Sequence, residues 1–243
     1  MRGESGRAPY GQYRARPGTR RGQGSIVRGV GTTGCLVAIE GGEGAGKSTQ
    51  ARLLATAIGA DLSREPGGSP IAERIRALIL DPSLGRLSPR AELHLVLAAR
   101  AEHLNARIEP ALAAGRHVVV DRFAGSTLAY QGYGRGLPVE EVREACDLAA
   151  GGRWPDLSVL LDIPLEMAQA RRATQHAQLP GVRPDRIEAE DREFHSRVTA
   201  GFREIAAADG EHWVVVDGSR PEAEVASAVL AAVRSRLLIE GPS

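Results

Sequence analysis

Lysine is almost missing from this chain. Lys+Arg number 31, and every one of them except Lys47 is arginine. Aromatic residues are scarce too, at 4%, so Ala, Leu, Val and Ile must build the core of a 243-residue chain. The only cysteines, Cys35 and Cys146, lie far apart and match no metal-binding or redox spacing. They read as reduced thiols in a cytoplasmic protein. No apolar run approaches the roughly 18 residues of a membrane-spanning helix. The formal charge of +1 favours neither an anionic nor a cationic partner.

What charge there is lies unevenly. Residues 1–34 carry seven Arg against Glu4, a net +6, which leaves the other 209 residues at −5. This stretch also holds nine Gly and few apolar residues, too little to offset the entropy of ordering, so it reads as a disordered Arg/Gly-rich extension. Arg28 interrupts the only candidate for the apolar stretch of a secretory signal. A basic tail of this kind can touch nucleic acid weakly. The folded domain is expected over 35–243.

That domain alternates two patterns. Short apolar runs at 35–40 (CLVAIE), 117–121 (HVVVD), 157–163 (LSVLLDI) and 213–217 (WVVVD) predict buried strands, and 60–65 (ADLSRE) a weaker fifth. Helical spacing fills about 47–58, 70–80, 89–114, 139–150, 164–176, 187–208 and 221–238. Ser88 and Pro89 look like the N-cap and first residue of the third helix. Strands alternating with helices predict an α/β fold, a five-stranded parallel sheet flanked by helices.

The isolated lysine falls in Gly41-Gly42-Glu43-Gly44-Ala45-Gly46-Lys47-Ser48, followed by Thr49. This matches G-x-x-x-x-G-K-[ST] after a strand and at the start of a helix, the P-loop context. Glycines turn backbone N–H groups inward around phosphate oxygens, and the helix N-terminus adds positive potential. Lys47 is expected to reach the β- and γ-phosphates of a bound nucleotide, and Ser48 to ligate Mg²⁺. A compact ammonium on a flexible stem suits this loop, where a planar guanidinium would not. Arginine therefore replaces lysine everywhere but here.

Polar groups also cluster at other strand ends, where open α/β sheets bind ligands. REPGGSP (64–70) presents Arg64. DRFAGSTLAYQG (121–132) supplies Asp121 as a second Mg²⁺ group, Arg122 for a phosphate, and Ser126, Thr127, Tyr130 and Gln131 for a base or ribose. Arg100 lies on the long helix, and Arg171, Arg172 and Arg183 precede PDRIEAED (184–191). Arginines on separate elements beside a P-loop suggest phosphoryl transfer between two nucleotides, which needs mainly positioning and charge neutralisation.

With AIEGGEGAGKSTQ, REPGGSPIAERIRALIL, AELHLVLAARAEHL, DRFAGSTLAYQGYGRG, PDLSVLLD and DRIE in this order over about 35–217, the sequence resembles the bacterial thymidylate kinases among the P-loop nucleoside monophosphate kinases. The resemblance implies transfer from ATP to dTMP giving dTDP and ADP, Mg²⁺, a short lid (about 171–186) and a homodimer. It places Glu43 near the deoxyribose 3′-hydroxyl, Arg64 and Arg122 on the acceptor phosphate, and Arg100 on the pyrimidine edge. Ser126, Thr127 and Gln131 would line the base pocket, with Tyr130 beside the sugar. Lys47, Asp121 and Arg122 would serve catalysis. With no arginine in the P-loop, the lid must supply one, from Arg171, Arg172 or Arg183. The chain departs from the pattern at Val96, where the family usually carries an aromatic that stacks on thymine; Phe123 is a candidate substitute. That departure leaves a dUMP kinase as a rival, and a non-catalytic nucleotide binder as a reading of a different class.

Overall fold

The structure, a computed structural model, describes residues 34–178 and 184–238. Five strands form one parallel sheet: β1 (Leu36–Glu40), β2 (Asp61–Arg64), β3 (Val118–Asp121), β4 (Leu157–Asp162) and β5 (Trp213–Asp217). Their spatial order is β2-β3-β1-β4-β5. Successive side chains of a strand point to opposite faces. Accordingly Leu36, Ala38, Val118 and Val120 enter one core, and Val37, Ile39, Val119, Leu157 and Val159 the other. Burial on both faces is why these strands are continuously apolar rather than alternating.

Helices α1 (Lys47–Ile58) and α9 (Glu222–Leu237) cover one face through Ala51, Leu54, Val225 and Val229. Helices α3 (Pro89–His103), α6 (Val139–Ala150) and α8 (Arg192–Ala208) cover the other through Leu93, Leu97, Val142, Phe194 and Phe202. Helix α2 (Pro70–Leu80) follows β2, and α7 (Leu165–Gln178) follows β4. The Ser88 hydroxyl does cap α3, accepting from the Ala91 N–H with Pro89 behind it. The rod beginning at Pro89 continues through a π-type stretch, Leu104–Ile108, into α4 (Glu109–Ala113), so 89–114 is nearly one continuous element.

Three features differ from the sequence pattern or lie beyond it. Residues 187–190 do not join α8: the Asp185 carboxylate accepts from the Ile187 and Glu188 N–H groups and holds a turn, and Asp191 caps the helix at Phe194. A helix absent from the sequence reading, α5 (Ala124–Thr127), runs on as a π-type segment, Leu128–Gly134. At the domain boundary Gly34 is already buried, its N–H donating to Leu112 O. The expectation for the rest of the N-terminal extension lies outside the described residues. The lid stretch is helical as far as Gln178, and Arg183 lies outside the described residues.

Candidate active site

The sheet order brings the ends of β2, β3 and β1 side by side. Arg64 pairs in register with Asp121, and Asp121 with Ile39, one residue before the P-loop strand ends. Beyond these ends lies a cavity of about 300 Å³. Every residue that the sequence assigned to the acceptor lines it: Glu43, Arg64, Arg100, Arg122, Ser126, Thr127, Tyr130 and Gln131. Lys47, Ser48 and Asp121 open onto the same space.

The P-loop conformation depends on its glycines. Gly44 has φ 77°, and a Cβ there would lie 2.5 Å from the Ala168 carbonyl oxygen. Gly46 caps α1 in the left-handed region with no side-chain hydrogen bond, so the first-turn N–H groups of α1 lack a side-chain partner. Lys47 is buried, and its Nζ donates to Gly42 O at 2.6 Å. Burial, then the charge of Arg122, push Lys47 down to about 8, against the pull of Glu43, Asp121 and Glu40. Ser48 donates its hydroxyl to Asp121 Oδ2, while Asp121 Oδ1 is buried with no hydrogen-bond partner.

Arg122 is constrained through both its backbone and its side chain. Its φ of 71° is uncommon for a residue with a Cβ, and its N–H is tied to Ile39 O. The guanidinium donates to Gly41 O, to Ser126 Oγ and to Glu43 Oε1, and lies 5.1 Å from the Tyr130 ring centre. Burial would raise the Glu43 pKa, but Arg122, then Lys47, the Tyr130 hydroxyl and Arg172 bring it down to about 2. Buried Glu40 accepts from the Phe123 N–H and the Ser126 hydroxyl and so anchors the start of α5. A Cβ on Gly125 would meet the Trp213 ring at 2.5 Å and Glu40 Oε1 at 2.8 Å.

Arg64 is half exposed and pairs with Glu73. Arg100 is fully buried, donating to Glu65 Oε2 (2.8 Å), Thr127 Oγ1 (2.9 Å) and Cys146 Sγ (3.4 Å). Glu65 in turn meets His103 Nδ1, whose ring reaches Ser63 on its other side. Val96 lines the cavity wall with Phe123, whose ring lies 4.8 Å below the Arg100 guanidinium carbon. One face of that ring is thus already taken.

Two of the proposed lid arginines have other neighbours in this structure. Arg171 donates to Gly218 O. Arg172 lines a separate small cavity of about 20 Å³ behind the P-loop with Glu43, His195 and Thr199. Neither lines the large cavity. The sequence reading missed Glu65, Arg76, Glu92 and Glu188. Arg76 shares a face with Glu73 at i, i+3 and donates to Pro66 O at the cavity edge, the one signal among these that spacing carried.

A parallel α/β sheet with a phosphate loop after its first strand, and an arginine-lined cavity beside it, is the architecture of a P-loop phosphotransferase. The family model described as Thymidylate kinase matches residues 39–229. Among curated relatives, the thymidylate kinase of Geotalea uraniireducens (strain Rf4) is 42% identical over 209 residues, covering 84% of this chain and 98% of that protein. That of Synechococcus sp. (strain JA-3-3Ab) is 44% identical over 214 residues, covering 85% and 98%. The crystal structure of thymidylate kinase from Ehrlichia chaffeensis superposes with a TM-score of 0.63 at 28% identity, covering 83% of this chain and 99% of that one. The chain belongs to the thymidylate kinase family.

Proposed function

We infer that the protein transfers the γ-phosphoryl group of ATP to dTMP, giving dTDP and ADP for dTTP synthesis. One observation carries this reading: the P-loop groups Lys47 and Ser48 and the arginines Arg64 and Arg122 face a single cavity. The bond between the β,γ-bridging oxygen and the γ-phosphorus breaks, and an acceptor phosphate oxygen takes the phosphorus. That phosphate is mostly dianionic at neutral pH, so the nucleophile needs no base from the protein. The protein's task is to bring two polyanions together and balance the charge that shifts between them.

Lys47 and the backbone N–H groups of residues 41–49 hold the donor phosphates, and Arg64 and Arg122 hold the acceptor phosphate. Glu43 has one oxygen engaged with Arg122 and Tyr130, which leaves the other for the sugar hydroxyl. Arg100 N–H groups face the base as donors, and Gln131 offers an acceptor. Arg171, Arg172 or Arg183 is the arginine proposed to assist transfer from the lid. Ser48 and Asp121, with a buried unpaired carboxylate oxygen, suit a hard divalent cation such as Mg²⁺, which keeps most of its waters and binds through few protein oxygens. Held there beside ATP, such an ion would supply positive charge to offset that of the phosphates.

A homodimer is proposed as well. Ile71 and Leu78 lie on one face of α2, 54% and 49% exposed. Among the described residues no helix is long and apolar enough to cross a membrane, and we place the enzyme in the cytoplasm. The direct test is label transfer: γ-³²P from ATP should appear in dTDP with the wild type and not with Lys47→Ala. Label transfer to dUMP in preference to dTMP would favour the rival reading, for which Val96 in place of a ring leaves room.

A further inference from the structure

Glu92 lies outside the cavity lining, in the first turn of α3, fully buried. Its Oε1 accepts from Gln131 Nε2 at 2.9 Å and from Arg135 Nε at 3.0 Å. Its Oε2 accepts from Arg135 Nη2 at 3.0 Å, and Arg186 Nη1 lies 2.6 Å away as an ion pair. Both guanidiniums are held from behind, Arg135 by Glu190 and Arg186 by the Ile79 carbonyl oxygen. Burial would raise the Glu92 pKa, but the hydrogen bonds from Arg135 and Gln131, followed by the charge of Arg135, hold it below the ordinary carboxylate value. An ionised carboxylate only accepts hydrogen bonds. The Gln131 amide must therefore turn its NH₂ toward Glu92, and its carbonyl Oε1 is the end left for the cavity that Gln131 lines.

We propose that Glu92 is a positioning residue that fixes the orientation of the Gln131 amide, and thereby selects a base with a ring N–H over one with a ring acceptor at the same place. The proposal rests on the reading above that the base lies against Gln131. A 2,4-dioxopyrimidine presents a carbonyl and a ring N–H, which complement an Arg100 N–H and the Gln131 carbonyl. Cytosine presents an amino group and a ring acceptor, so both contacts would be mismatched, and an unpaired buried polar group weakens binding strongly.

Glu92→Gln gives a definite expectation. The new side chain has a single oxygen, and the Oε2 position claims it, because two fixed guanidinium donors, Arg135 Nη2 and Arg186 Nη1, face that position against only Arg135 Nε at Oε1. Its NH₂ then faces Gln131, which must turn its own oxygen toward it and present an NH₂ to the base. The experiment is kcat/KM for dTMP and for dCMP with Mg-ATP, in the wild type, Glu92→Gln and Gln131→Met. Glu92→Gln should lower the dTMP:dCMP ratio by about tenfold or more and leave the KM for ATP unchanged. A merely structural role would lower the melting temperature and both activities together, with the ratio intact, and that result overturns the proposal. If Gln131→Met also leaves the ratio intact, the base does not lie against Gln131 and the underlying reading fails instead. Should Glu92→Gln not fold, the wild type decides by NMR. The Gln131 Nε2 hydrogens should exchange slowly with or without dTMP, and rapid exchange in the nucleotide-free enzyme would overturn the proposal.

Discussion

Lys47 combines two opposed consequences of one depressed pKa. Folded and nucleotide-free, it loses its proton near 8, whereas an unfolded chain holds it to about 10.5. Between those values the unfolded state binds more protons, so stability should rise with pH across the window. Affinity for the triphosphate should fall over the same range, because only the ammonium attracts it. Melting temperature and ATP KM measured from pH 7 to 10 should both climb; a flat ATP KM would mean that Lys47 does not hold the phosphates. Arg64 allows a second check. Arg64→Ala should raise the KM for dTMP about tenfold or more, as expected for loss of a charge-assisted contact, with little change for ATP. Equal effects on both would remove Arg64 from the acceptor site. At this scale the P-loop was readable because its groups are contiguous and include the one lysine. Glu65 and Glu92 were not readable: they meet Arg100 and Gln131 at separations of 35 and 39 residues, and nothing local marks them.

Among the elements, the strands and most helices followed from periodicity because both faces of the sheet are covered. The segment 124–134 did not. Gly125, Gly132 and Gly134 lower its helical propensity, and what holds it is tertiary: Glu40 at its start, and Tyr130 edge-on to Phe194 and Phe202 of α8. Gly125→Ala should therefore act through the element. Its methyl group would press on Trp213 and Glu40, shift Ser126–Gln131, and raise the dTMP KM more than the ATP KM. Asp191→Ala is the contrasting case. It removes the cap of α8, whose carboxylate accepts from the Phe194 N–H, and should cost about 1 kcal/mol in denaturant unfolding with kcat nearly unchanged. A large fall in kcat would mean that α8 positions the site more directly than its packing implies.

The whole molecule assembles the proposed two-nucleotide site by topology. The order β2-β3-β1-β4-β5 sets Arg64, Asp121 and the P-loop side by side although 74 residues separate Lys47 from Asp121. The parallel fold class was legible in the sequence, and the residues proposed for the acceptor line one cavity, but the neighbours of Arg171 and Arg172 were not legible, since helical spacing does not say which group an arginine meets. Light scattering should give a dimer, and Ile71→Glu with Leu78→Glu should give a monomer; a monomeric wild type would contradict the proposed assembly. The central claim is that a pyrimidine monophosphate with a ring N–H is the phosphoryl acceptor in the arginine-lined cavity. The measurement that bears on it most directly is kcat/KM with Mg-ATP across dTMP, dUMP, dCMP, AMP and GMP. The account predicts dTMP first, dUMP next and dCMP far behind. A preference for dCMP or for a purine monophosphate would contradict it.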